Sequence, residues 1–233
     1  MSHCLKRLGL TSLIAIAITG VAAGSAFALT ILGTDGHDRI VGSRGADTID
    51  AKGGPDKVLA LAGDDAITLG DGFDRARAGR GNDSVDGGAG PDVINAGRGD
   101  DHVLGGEGND RVWAGPGDDK VDAGPGFDRV RGRAGNDIID GGDGFDALRG
   151  GRGADTVSGG PGNDNLFARA RDGASDTVNG DAGDDRIHVR DGTRDVVTCG
   201  LGFDRVKADF QDEVAADCER VQRRVPAPRA VSE

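Results

Sequence analysis

From Gly33 to Phe167 the chain consists of fifteen unbroken units of nine residues. Every unit has glycine at its fourth position and aspartate at its sixth. The eighth position is aliphatic in fourteen units and Ala76 in the other. The unit Gly87-Gly88-Ala89-Gly90-Pro91-Asp92-Val93-Ile94-Asn95 is representative, and the consensus is GGxGxDxUx with U apolar. A period held this strictly excludes an ordinary globular core, because each unit can bury its one apolar residue only against a neighbouring copy of itself.

The residue types dictate the local structure. Glycines at positions one, two and four supply positive φ and allow neighbouring turns to approach closely, which places the first six residues in a loop. Positions seven to nine then point outward, inward and outward, since side chains alternate along a strand and only position eight is steadily apolar. A three-residue strand cannot stand alone. Two units therefore complete a coil of eighteen residues, and coils stack into two parallel sheets around a thin core. The expected fold is all-β, a parallel β-roll or two-sheet β-solenoid.

Protein contacts alone do not hold such a coil. Burying one Val or Ile per unit contributes about 1.5 to 3 kcal/mol, several-fold less than the conformational entropy lost by nine ordered residues, many of them glycine. Stacking also lines up like-charged carboxylates. A cation between coils answers both deficits. Calcium fits best because it accepts six to eight oxygen ligands in flexible geometry, and each loop offers a carboxylate with several backbone carbonyls. Magnesium tolerates such geometry poorly, and zinc would require His or Cys, which the array lacks as a set. The candidate ligands are Asp38, Asp47, Asp56, Asp65, Asp74, Asp83, Asp92, Asp101, Asp110, Asp119, Asp128, Asp137, Asp146, Asp155 and Asp164.

On these residues the chain resembles the RTX, or haemolysin-type, calcium-binding repeat family. The resemblance implies a β-roll with calcium (Ca2+) as its cofactor. It does not imply haemolysis or proteolysis, because relatives with those activities carry the chemistry in separate domains, and none is visible here. The first units depart from the pattern: Thr34, Ser43, Lys52 and Leu61 stand where the second glycine belongs, so their calcium sites are expected to be weak or absent.

The ends place the protein outside the cell. Lys6 and Arg7 precede an apolar run from Leu8 to Val21 and then Ala26-Phe27-Ala28, the layout of a signal peptide over residues 1–28 with cleavage after Ala28. No later segment is long and apolar enough to span a bilayer. Many relatives instead leave by an exporter that reads an uncleaved C-terminal signal, so the leader points to the general secretory route. Cys199 and Cys218, the two cysteines left after cleavage, are expected to form a disulfide contributing on the order of 3 kcal/mol. With the roll assigned to 29–167, residues 168–221 read as degenerate repeats and a disulfide-bearing cap. Full units recur at Gly180 to His188 and Cys199 to Lys207, between the variants Asp172 to Val178 and Asp191 to Val197. The charged tail 222–233 is expected to be disordered.

Composition bounds the partners. Without Lys6 and Arg7 the chain has 26 basic against 40 acidic residues, a formal charge of −14 that argues against nucleic acid and that seven calcium ions would neutralise. Sorting outward positions by face is more informative. Odd units carry Arg39, Lys57, Arg75, Arg77, Arg111, Trp113, Arg129, Arg131, Arg149 and Phe167, whereas even units carry Asp50, Asp86, Asp122 and Asp140, with Lys120 the lone lysine or arginine. Phe73, Phe127 and Phe145 also belong to odd units. Such a stripe would hold an anionic cell-wall or extracellular polysaccharide by charge and stacking; alternatively, its arginines merely offset the neighbouring aspartates. There is no HExxH helix, no GxSxG elbow and no βαβ unit around the glycines, so no enzyme is expected. His37, His102 and His188 fall at unrelated positions and read as surface residues. The expected function is a secreted calcium-binding protein with a structural, adhesive or ion-buffering role. The alternative is an accessory module for an anionic polymer or a separate secreted enzyme.

Overall fold

A computed structural model of the chain describes residues 15–18, 27–169 and 172–224. They form a solenoid of strands with no helix, folded into two sheets of twelve and eleven strands. Successive strands alternate between the sheets, so odd units build the eleven-stranded sheet and even units the twelve-stranded one. Through the fifteen units neighbouring strands are parallel and eighteen residues apart, as in Arg111↔Arg129 and Val112↔Val130, or Lys120↔Ile138 and Val121↔Ile139. The parallel β-roll expected from the period is the fold.

The inward column at position eight is complete. Ile40, Ile49, Val58, Ile67, Val85, Ile94, Val103 and their successors are all but inaccessible to solvent, and Ala76 takes the same place. A second inward column was not anticipated. Several strands, Ala66–Asp71 and Arg75–Arg80 among them, run on through positions one to three of the next unit. This buries position one, occupied by residues such as Leu69, Ala78, Ala96 and Ala114. The loop is therefore shorter than six residues in those coils.

Positive φ occurs at positions two and four, as at Gly88 and Gly90, and not at position one. Glycine at position one answers to space instead: a methyl group on Gly87 would lie 2.1 Å from the carbonyl oxygen of Gly105 in the next coil. Lys52, Leu61, Arg133 and Asp181 adopt positive φ at position two without being glycine.

The stack does not stop at Phe167. Thr177–Asn179, Val196–Thr198 and Glu213–Val214 continue the even sheet, and Arg186–His188, Arg205–Asp209 and Arg220–Arg224 continue the odd one. Cys199 and Cys218 are joined by a disulfide, with Cα atoms 5.2 Å apart. The last odd strand reaches Arg224 and is exposed along its length, so part of the expected tail is strand; residues 225–233 lie outside the described residues. Of the expected leader, only Ala15–Ile18 is described within 1–26, as a strand antiparallel to Leu29–Leu32. Among the described residues no helix is long and apolar enough to cross a membrane.

Candidate metal centres

The coil repeat converts one aspartate per unit into two buried columns. All fifteen aspartates singled out from the sequence are buried, none more than 2 % exposed. The odd column runs through Asp92, Asp110, Asp128, Asp146 and Asp164, and the even one through Asp101, Asp119, Asp137 and Asp155. Each column climbs by a repeated hydrogen bond in which the backbone N–H of one aspartate donates to Oδ1 of the aspartate one coil on. The distance is 2.6 Å from Asp110 to Asp128 and 2.8 Å from Asp128 to Asp146. The backbone carbonyl of Asp110 meanwhile accepts from Arg129 N–H at 2.9 Å.

That ladder satisfies one carboxylate oxygen and leaves the other. Among the described residues, Oδ2 of thirteen of the fifteen aspartates, from Asp56 to Asp164, is buried with no hydrogen-bond partner. Leaving a buried carboxylate oxygen without a donor is costly. Burial accordingly pushes these groups up from the ordinary 3.8, to about 6 at Asp110, about 7 at Asp128 and Asp137, and about 8 at Asp146. Desolvation is the main cause, and at Asp128, Asp137 and Asp146 neighbouring aspartates of the column add to it.

The first coil differs. Thr34 donates both its backbone N–H, at 2.6 Å, and its hydroxyl, at 2.9 Å, to Oδ2 of Asp38. Ser43 N–H donates to Oδ2 of Asp47 at 2.6 Å, and its hydroxyl to Oδ1 at 2.9 Å. Thr34 and Ser43 thus supply donors that later coils lack, whereas Lys52 and Leu61, which also replace the second glycine, leave Oδ2 of Asp56 and Asp65 without one.

The sequence reading missed the continuation of the columns. Asp176, Asp185, Asp195, Asp204 and Asp212 are also buried; Asp164 N–H donates to Asp185 Oδ1 and Asp185 N–H to Asp204 Oδ1, each at 2.8 Å. Oδ2 of Asp185, Asp195 and Asp204 likewise lacks a partner. The signal was present, since Asp185 and Asp204 hold position six of the two late units and Asp176 and Asp195 precede the x-Val of the variants. Glu219 closes the odd column by accepting from Asp204 N–H at 2.9 Å.

These oxygens fit a hard cation. Around Gly105, a methyl group would lie 2.3 Å from the Ala123 carbonyl oxygen and 2.8 Å from Asp110 Oδ2, so a carboxylate of one coil and a carbonyl of the next face the same small space. Gly141 stands in the same relation to Gly159 O and Asp146 Oδ2, at 2.4 and 2.8 Å. The donor set is all oxygen, part charged and part carbonyl, which suits calcium. Among the described residues nitrogen and sulfur are elsewhere: His37 and His102 are exposed, Cys199 and Cys218 are in the disulfide, and His188 is stacked on Phe167 with ring centroids 4.9 Å apart.

Stacked coils with buried all-oxygen columns define a calcium-binding repeat protein. The family model described as the RTX calcium-binding nonapeptide repeat, in four copies, matches overlapping windows over residues 30–170 and again over 172–206. The chain belongs to that family, and Ca2+ is its cation. The RTX β-roll is a structural calcium-binding domain. No curated protein matches the chain.

Proposed function

We propose that the protein is exported and works at the cell surface as an adhesive element, its roll folding when calcium enters the aspartate columns and thereby presenting one basic sheet to an anionic polymer. The observation that carries this reading is the segregation of charge between the sheets. Strands of the odd sheet carry eighteen lysines and arginines against a single aspartate, Asp209. Those of the even sheet carry one lysine, Lys120, against six acidic residues.

Parallel register sets like charges side by side, as in Arg39↔Lys57 and Arg186↔Arg205, an arrangement that costs energy unless a counter-charge arrives. Among the described residues the sole ion pair is Arg194–Glu213, off the basic sheet. Calcium would neutralise the buried columns, leaving the arginines without an internal offset. Aromatic rings support the same face, with Arg149 lying 5.6 Å above the ring of Phe167. The even sheet would serve the structural and ion-buffering roles, and no catalytic step is assigned to either face.

The test is a pull-down of the leaderless chain with cell-wall fractions, with calcium and with chelator. Retention that requires calcium and falls as salt is raised supports the reading. Equal recovery by the unmodified resin sinks it. Co-purification of a secreted enzyme in place of polymer would favour the accessory-module alternative.

A further inference from the structure

The basic sheet is not uniform along its length. Near its middle, Arg131, Arg133, Arg149, Arg152 and Arg169 surround a shallow basin of about 580 Å³, with Asp172 as its one acidic neighbour. Asp172 is already engaged, accepting from the backbone N–H groups of Gly153 at 2.8 Å and Ala174 at 3.1 Å. All five arginines are exposed, and among the described residues none forms an ion pair.

Arg133 is the informative member. It occupies position two, where its neighbours in the sheet register are Gly115 and Gly151. Its φ is +93°, a conformation that glycine adopts freely and that costs an L-residue about 1 kcal/mol or more. Position two is glycine in every other unit from Gly70 to Gly160. Backbone preference opposes an arginine here, and what it adds is a third guanidinium in the basin beside the register pair Arg131↔Arg149.

We propose that these five arginines form a receptor for phosphate-monoester groups carried on an extracellular polymer; this rests on the reading of the basic sheet as a polymer-binding face. The chemistry favours phosphate over carboxylate. Guanidinium forks reach the basin from two adjacent strands and a following loop, and so from more than one plane. A planar carboxylate accepts a fork in its own plane, whereas a tetrahedral phosphate monoester presents three acceptor oxygens in different directions and carries nearly twice the charge. At the far end of the sheet, a second basin lined by Arg39, Lys57, Arg75 and Arg77 has the apolar side chains of Val41 and Leu59 in its wall, a poorer match for a compact, strongly hydrated anion.

Binding of the calcium-loaded leaderless chain to dextran phosphate and to carboxymethyl dextran, matched in length and substitution and with free calcium held constant, tests the proposal. The parent is expected to bind dextran phosphate about tenfold more tightly than the carboxylated polymer. Arg133→Gly restores the residue the backbone prefers, so calcium-induced folding followed by circular dichroism should be preserved or improved while affinity for dextran phosphate falls about tenfold. Arg77→Ser, on the same face at the other basin, should lower it less than about threefold. Arg133→Gly binding dextran phosphate as well as the parent overturns the proposal, as does equal affinity for the two polymers. If the folded parent binds neither polymer, the polymer-binding reading of the whole face fails with it, an outcome distinct from the variant result.

Discussion

The first coil and the central coils carry the same aspartates in the same columns, yet they solve the burial of a carboxylate in different ways. In the first coil Thr34 and Ser43 donate to Asp38 and Asp47 from within their own units. In the central coils the residue at that position is glycine and Oδ2 of Asp110, Asp128 and Asp146 lacks a donor. The contrast teaches that an RTX aspartate does not specify a calcium site by itself. The residue at position two matters as well, because Thr34 and Ser43 bring hydroxyl donors to the carboxylates of their own units, whereas Lys52 and Leu61 leave Oδ2 of Asp56 and Asp65 as bare as in the central coils.

The largest effect separating the two regions should come from position four. Gly144 has a φ of +151°, and a methyl group there would lie 1.6 Å from Gly126 O, whereas at Gly36 the nearest atom is 3.7 Å away and φ is not in the left-handed range. Gly144→Ala should abolish cooperative calcium-induced folding, and Gly36→Ala should leave it nearly unchanged, as read by circular dichroism during calcium titration.

Next in size is the loss of a column member. Asp128→Ala removes a buried carboxylate and leaves Asp110 N–H without its acceptor, which should cost about 2 to 3 kcal/mol of calcium-dependent stability. Asp38→Ala, in the coil where Thr34 already donates to Oδ2, should cost under about 1 kcal/mol. Denaturant unfolding of both variants at fixed calcium measures the difference, and equal losses would remove the distinction between the coils.

Protons should act on the same contrast. The central carboxylates have folded values raised from 3.8 to between about 6 and about 8, so between those limits the folded metal-free roll binds more protons than the unfolded chain. The sign follows: stability without calcium is greatest at acid pH, below about 4, and is lost as pH rises through 6 to 8. In chelator, lowering the pH from 8 to 5 should recover strand signal. In calcium the opposite trend is expected, with affinity weakening toward acid as protons compete for the same oxygens. No recovery of strand in chelator at pH 5 would contradict the assigned burial.

The smallest and most discriminating change is the reverse conversion. Replacing Thr34 and Ser43 together by glycine keeps both backbone N–H donors but removes the hydroxyl donors to Oδ2 of Asp38 and Oδ1 of Asp47, and should add ion binding at the first coil, seen as an increased calcium stoichiometry by calorimetry. An unchanged ion count would show that something besides these two side chains disables the coil.

Much of this was legible in the period of nine. Asp at six and an aliphatic at eight fix the coil, the two sheets and both columns, since the eighteen-residue register follows from alternation alone. The second inward column was not legible, because position one mixes Gly33, Ala51, Leu69 and Gly87 and so shows no apolar period, although burial there needs only a small or apolar side chain. Arg80, Arg98 and Arg152 hold position three of even units, which the period assigns to loop; the strand runs on past position nine, and so they join the basic sheet. The roles of Thr34 and Ser43 depend on side-chain donors reaching a carboxylate four residues on, which spacing suggests only once the loop geometry is known.

The most direct test of the account is a calcium titration of the leaderless chain at pH 8, followed by circular dichroism. Buried oxygens without donors in coil after coil should keep the chain in coil while chelator is present, and calcium at the millimolar levels found outside cells should bring in strand cooperatively. A stable strand signature persisting in excess chelator at that pH would contradict it, since the columns would then be satisfied by the protein alone.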